Sequence, residues 1–313
     1  MFQGEDKVFA LPMTLNFPVM FYRKDILEEI GLDVPRTWDE LYKAVAVLQE
    51  HNMTVGIEIS DTSNAGGAGM EVGAAYNMLL LQNGGSYYSG DGSKCLLDSP
   101  IGIAAFERYT ELYTHYGLPQ YFNFYSRFRT GEMPLGLYNF MFINNFYIAA
   151  PEIKGLWGIA PAPGVPTPDG GINRATGSSV SASVIFKASK KQDDAWTFLK
   201  WFMCESTQAR YGRHMQAVLG DDARYNTANV RAMDSLGWPA DVYSVIASQR
   251  DEAMGIPVVP GSYYINRHFG NAFREVDTLK ELPRESLTKY VEVINREIAK
   301  KRGELGLYSG ETG

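Results

Sequence analysis

Reactive chemistry in this chain would have to start from its glycine runs, carboxylates, histidines or cysteines, and their spacing supports little of it. Gly66-Gly-Ala-Gly69 lacks both the GxGxxG spacing and the Lys-Ser/Thr that a phosphate cradle needs. Gly177-Ser-Ser-Val180 does not form the GxSxG elbow that exposes a nucleophilic serine. Asp39/Glu40 and Asp193/Asp194 are adjacent carboxylates where first-turn helix charges belong, and neighbours on a helix do not face a common bond. Carboxylates far apart in sequence remain free to converge in space. The four histidines, His51, His115, His214 and His268, show no metal-ligand spacing, so neither a metal nor a cofactor is expected. The two cysteines, Cys95 and Cys204, have no CxxC neighbour; a disulfide and two separate thiols are both compatible with the sequence.

Binding chemistry is better provided for. Aromatic residues make up 13% of the chain, and several tyrosines sit in polar, glycine-containing runs such as Gly84-Gly-Ser-Tyr-Tyr88 and Gly261-Ser-Tyr-Tyr264. A tyrosine offers an apolar face and a hydroxyl together, which suits a sugar ring. The competing role for any single ring is a place in the core.

The chain has 313 residues, 45% of them hydrophobic, enough for a substantial core in one large domain or two lobes. A net charge of −7 with mixed signs leaves no basic footprint for nucleic acid or an anionic membrane. No apolar run approaches the roughly 18 residues that span a bilayer. No charged n-region, apolar core and cleavage site precede Phe2.

The elements that would position these residues alternate between short strands and helices. Strands are expected at 8–11, where Pro12 should stop the run, and at 19–22, 55–59, 134–138, 157–160 and 181–186. Helices are expected at 23–30, 38–52, 70–82, 100–117, 126–130 and 143–150, then from 189 through Phe202. Further helices fall at 205–215, 229–236, 241–254, 266–278 and 283–301. Thr37 before Trp38-Asp-Glu40, which sets an acidic first turn on the positive helix end, makes a helix start, and Ser99-Pro100 makes another. The 161–171 stretch, with four prolines and three glycines, is an irregular loop. The pattern is that of an α/β protein rich in helix.

Four blocks, in order, carry a family resemblance. The first is Val8-Phe-Ala-Leu-Pro12 through Tyr22-Arg-Lys-Asp25 to Pro35-Arg-Thr-Trp38-Asp-Glu40. The second is Phe128-Arg-Thr-Gly131 through Leu137-Tyr138, followed by Trp157-Gly-Ile-Ala-Pro-Ala-Pro163. The third is Gly177-Ser-Ser-Val-Ser-Ala-Ser183 with Ser189 through Trp196-Thr-Phe-Leu199. The fourth is Pro260-Gly-Ser-Tyr-Tyr264-Ile-Asn-Arg267 through Arg274. Together they resemble the extracellular solute-binding proteins, family 1, that serve ABC sugar importers.

That resemblance implies a periplasmic-binding-protein-like fold of type II, with two lobes and interleaved chain crossings. Residues 1–16 would be the end of the first lobe and a crossover, and 17–178 the second lobe. Residues 179–225 would return to the first lobe, and 226–313 would supply second-lobe helices and a cleft-lining segment. The crossover-like stretch comes at residue 8, where a family member would already have built most of its first lobe. The first lobe is therefore expected to be incomplete, with a possible partner chain completing it. The implied function is non-enzymatic capture of a carbohydrate, an oligosaccharide in the first place, for delivery to ABC-transporter permease subunits. The implied location is extracellular, cell-surface-anchored through a lipid, or periplasmic. By the same resemblance the ligand would meet Asn16, then Asp61, Thr62, Ser63 and Asn64, then Tyr138, Asn139 and Phe140, and finally Tyr263, Tyr264 and Arg267. Trp38, Trp196 and Trp201 are expected to pack, and Pro12 and Asp25 to be structural. Maltodextrin-binding members place a stacking Trp just after the strand that ends here at Tyr138; this chain has Asn139-Phe-Met-Phe142, so maltose does not follow. A glycoside-active enzyme and a binder of a peptide or polyamine are the rival readings.

Overall fold

The computed structural model describes residues 3–4, 7–58 and 73–307. In chain order these form β1 (Leu11–Asn16), β2 (Pro18–Arg23), α1 (Lys24–Glu29), α2 (Trp38–Glu50), β3 (Val55–Gly56), α3 (Ala74–Gln82), α4 (Pro100–Thr114), α5 (Phe124–Thr130), β4 (Leu135–Asn139), α6 (Ile143–Ala149) and β5 (Trp157–Ala160). The remainder contains β6 (Thr176–Ser183), α7 (Gln192–Phe202), α8 (Glu205–Leu219), α9 (Val230–Asp234), α10 (Ala240–Asp251), β7 (Ala253–Gly255), α11 (Tyr264–Arg274) and α12 (Pro283–Glu304). Small two-stranded pairings at Gln3–Gly4/Lys7–Val8 and Val165–Pro166/Ile172–Asn173 lie outside the main sheets.

The larger sheet has the order β3-β4-β2-β5, with β3 and β4 parallel and β2 antiparallel to both of its neighbours. Alternation along β2 explains how it separates two cores. Met20 faces a cluster with Trp38, Tyr76, Phe106, Tyr109 and Phe269, supplied by α2, α3, α4 and α11. Val19 and Phe21 face the opposite cluster, where Phe124, Phe128, Phe140, Phe146 and Trp157 pack. A sheet with helices on both faces is the outcome.

Local chemistry fixes the ends of these elements. Thr37 and Glu40 close a reciprocal capping box on α2, with Glu40 N donating to Thr37 Oγ1 at 3.2 Å and Thr37 N to the Glu40 carboxylate at 3.2 Å. Ser99 caps α4, with Pro100 at its first position. Arg23 is buried at the end of β2, bonded to Asp25 through Nη2 at 2.6 Å and Nε at 2.9 Å. It also donates to the carbonyls of Phe128 and Arg129, which ties β2 to α5. Asp25 is thus structural, as its position suggested.

The smaller sheet, β7-β6-β1, joins distant parts of the chain. β6 runs parallel to β7 over 176–178 and antiparallel to β1 over 179–183. Three expectations are corrected here. Pro12 does not stop β1, because it pairs with Ala182 next to the register shift between Ser181 and Ala182, where a proline is tolerated. Met254 is not helical: α10 ends at Asp251, and Ala253–Gly255 turns into β7 to pair with Thr176–Ser178. Trp196 and Trp201 do not pack inside, being 47% and 58% exposed, because Leu199 is the one buried residue of α7. Trp38, by contrast, is core. Cys95 is buried and Cys204 exposed, and both are free thiols, which settles the cysteine question against a disulfide.

Candidate functional site

The polar groups that could meet a ligand gather where β3 and β4 end and β2 begins. Their foundation is a pair of glycines. Gly56 and Gly136 face each other in the register of β3 and β4, and the Phe124 ring of α5 lies over both, so close that a methyl on Gly136 would overlap it. Tyr138 in turn stacks on Phe124, with ring centroids 4.8 Å apart and planes 18° from parallel. The Tyr138 hydroxyl donates to Glu58 Oε1 at 3.2 Å, just beyond β3. A carboxylate and a half-buried ring are thereby held side by side, an arrangement that can accept from a sugar hydroxyl and offer it a flat face.

The neighbouring residues add amides. Asn139 Oδ1 accepts from the backbone N–H of Met141 at 3.1 Å and caps the short turn Phe140–Phe142. Asn16 pairs with Ser179 at the end of β1, and its Oδ1 accepts from Asn226 Nδ2 at 3.0 Å. Ser178 Oγ donates to the Met254 carbonyl at 3.0 Å, where β6 meets β7. An added Cβ on Gly177 would come within 3.6 Å of Asn77 Nδ2, which places α3 beside the same strand.

The sequence-derived residues divide accordingly. Tyr138 and Asn139 stand at the end of β4, opposite Val19 and Pro18 of β2, and Asn16 ends β1 two positions before Pro18. Phe140 does not join them. It is fully buried and stacks on Phe17 at 4.7 Å with Trp238 at its edge, because the turn after Asn139 swings its ring into the core. Tyr263, Tyr264 and Arg267 stand on and before α11, alongside α12. The Tyr263 and Tyr264 rings are 4.4 Å apart, and Tyr263 is 59% exposed. The turn at Gly261, with φ of +87°, presses against the backbone of Ile298. Tyr264, His268 and Tyr290 continue as a column of rings, and burial lowers the His268 pKa. Asp61, Thr62, Ser63 and Asn64 lie outside the described residues.

Glu58 and Asn226 are the functional candidates that the sequence did not disclose. Glu58 carried one signal, as a polar residue at the end of a strand whose parallel neighbour ends at the same side of the sheet. A separate surface pocket of about 400 Å³ lies between the starts of α2 and α4, lined by Trp38, Pro100, Ile101 and the Asp39–Arg108 ion pair. None of the sequence-derived residues lines it. Among the described residues no cluster of His, Cys, Asp and Glu could hold a metal, and no helix is long and apolar enough to cross a membrane.

The comparisons place this architecture. A binding protein of Brucella abortus (strain 2308) is 24% identical over 284 residues, covering 87% of this chain and 63% of that protein. The chain therefore spans about 63% of the length of this curated relative. An ABC transporter solute-binding protein from Thermotoga lettingae, bound with alpha-D-tagatose, superposes with a TM-score of 0.74 at 20% identity, over 95% of this chain and 74% of that one. The cyclic alpha-maltosyl-1,6-maltose binding protein from Arthrobacter globiformis gives a TM-score of 0.72 at 18% identity, over 95% and 74%. These likenesses establish the type II periplasmic-binding-protein fold. The family model for bacterial extracellular solute-binding proteins matches residues 1–209, and the chain belongs to that family.

Proposed function

We propose that this chain belongs to the substrate-binding component of an ABC importer, which takes a carbohydrate, an oligosaccharide in the first place, and passes it to membrane permease subunits. The observation that carries the reading is the Tyr138–Glu58 pair seated on Phe124, with Asn139 next to Tyr138 at the end of the same strand, in a chain of the solute-binding family. A ring face with a carboxylate and amides around it suits the mixed apolar and hydroxyl surface of a sugar. One structural neighbour is bound with alpha-D-tagatose and another is a binding protein for a cyclic maltosyl sugar, which supports the ligand class.

The ligand would sit between a second lobe of residues 17–178 and 226–313 and a first lobe containing 1–16 and 179–225. Asp61, Thr62, Ser63 and Asn64 would border it beyond Glu58, and Tyr263, Tyr264 and Arg267 would meet a longer ligand. Closure would follow from tighter binding to the closed arrangement. The task is binding and not catalysis, and the place of work is outside the cytoplasmic membrane, at the cell surface or in the periplasm. The exposed rings of Phe186, Trp196, Phe198 and Trp201 fit a first lobe that a further segment or partner chain completes.

A thermal-shift screen across mono- and oligosaccharides, peptides and polyamines tests the reading. A shift with sugars, lost in Tyr138→Ala, is the expected result. A shift with peptides or polyamines alone would refute it, and release of reducing ends from an oligosaccharide would favour the enzyme.

A further inference from the structure

Arg224 follows α8 and leads into the segment that flanks β1, where Leu15 N donates to the Asn226 carbonyl at 2.9 Å. Its guanidinium is clamped between two rings, 5.0 Å from the centroid of Tyr147 on α6 and 5.4 Å from that of Trp238. The side chain is only 7% exposed. One nitrogen, Nη2, reaches Asp221 at 3.1 Å. Nε and Nη1 are buried without a hydrogen-bond partner, and so is Nε1 of Trp238.

Three donors thus share one aromatic nest. A guanidinium cannot relieve this by losing its proton, and each buried donor left unpaired is unfavourable enough that folded proteins rarely keep one. The nest calls for acceptors. Its charge says which kind: Asp221 already balances Arg224, and Asp241 adds a further negative charge beside Tyr147. A second anion would be repelled, whereas a neutral oxygen lone pair would not. The nest is linked to the strands of the candidate site through two buried rings, since Trp238 lies against Phe140, which stacks on Phe17 between Asn16 and Pro18.

We propose that Arg224 and Trp238 form a polar subsite for a hydroxyl or ring oxygen of a neutral polyol, reached when the segment carrying Arg224 eases away from Tyr147. The inference rests on the carbohydrate reading above and adds two residues and a charge preference to it. Sugars bearing a carboxylate or phosphate at this position would bind more weakly than their neutral counterparts.

The test is calorimetric titration of the full chain with glucose, tagatose, maltotriose and raffinose, using wild type, Arg224→Met and Trp238→Phe, each with a thermal melt. For a sugar that wild type binds, Arg224→Met is expected to weaken Kd about ten- to a hundredfold, as for a lost charged hydrogen bond. Trp238→Phe is expected to weaken it about three- to tenfold. The melting temperature should hold in Trp238→Phe, which removes only a donor without a protein partner, and fall modestly in Arg224→Met, which also loses the Asp221 ion pair and the contacts with two rings. Unchanged affinity in the folded variants would overturn the subsite and leave the carbohydrate reading standing. Should Arg224→Met fail to fold, Trp238→Phe decides alone. Wild type binding none of the four sugars would overturn both.

Discussion

Replacing Gly136 by alanine tests whether the glycine pad really holds the candidate site. The new methyl would overlap the Phe124 ring, and on the other side the Gly56 carbonyl oxygen lies at 3.1 Å. The ring cannot simply retreat. Phe128 lies 5.2 Å from it, Phe142 5.9 Å, Phe21 6.1 Å and Phe146 6.2 Å, and each belongs to or packs against the same core. Overpacking a core by a methyl group costs about 1–3 kcal/mol, and a site closed by backbone and rings belongs at the upper end, about 3 kcal/mol. With an unfolding entropy of about 2.1 cal/mol/K per residue, this lowers the melting temperature of a chain of this size by about 5 °C. The same shift would carry Tyr138 off Glu58, so ligand-induced stabilisation should fall with it. Calorimetric melts of wild type, Gly136→Ala and the double variant Gly136→Ala/Phe124→Leu read the effect, and the smaller leucine should recover part of the loss. Gly270→Ala is the control. It lies inside α11 with nothing within 4 Å of its Cβ position, and there the helix preference for alanine should stabilise by about 1 kcal/mol. A melt of Gly136→Ala matching wild type, or no recovery from Phe124→Leu, would refute the reasoning.

Two further predictions concern groups away from the pad. Arg23→Ala should destabilise by about 3 kcal/mol, because it strands the Asp25 carboxylate and the carbonyls of Phe128 and Arg129 that Arg23 now bonds. The hydrogen bond from Arg23 holds the Asp25 pKa below its usual value, so the associated stability is present above the ordinary carboxylate range, near pH 4, and is lost as pH falls through it. Denaturant melts between pH 6 and pH 2 should therefore show the difference between wild type and Arg23→Ala shrinking on acidification; a constant difference would contradict the assignment. For the cysteines, hydroxyls of Ser206 and Thr207 lower the Cys204 thiol to about 7, while burial pushes Cys95 up to about 12. A thiol reagent at neutral pH should label Cys204 quickly and Cys95 only in denaturant, and equal rates in the native protein would be the contrary result.

Much of the fold was legible wherever a local rule decided it. Thr37 before Trp38-Asp-Glu40, Ser99 with Pro100, and the apolar run from Val19 to Tyr22 all act within a few residues, and the two helix starts and the strand they announce are present. The illegible parts depend on partners far away in the chain. Pro12 is accommodated by Ala182, and Met254 is drawn into a strand by Gly177. The site follows the same division. Tyr138, Asn139 and Phe140 were named together by the family resemblance at the end of the 134–138 strand, but Phe140 turns inward because Phe17 and Trp238 receive its ring. Glu58 meets Tyr138 across 80 positions, and Asn226 meets Asn16 across 210, distances over which no pattern in a single sequence points from one to the other.

The central strand of the smaller sheet has a mechanical consequence. β6 is bonded on one side to β7 over 176–178 and on the other to β1 over 179–183, so its two halves are held by different seams. Ladder bonds of this kind follow the ordinary twist of about 20° between neighbouring strands. They resist sliding, because a slip of one residue would turn every side chain to the opposite face. Eight residues of one strand therefore tie the seam that reaches the end of α10 to the seam that reaches the start of the chain, so neither stretch can leave this sheet without unpairing β6 itself.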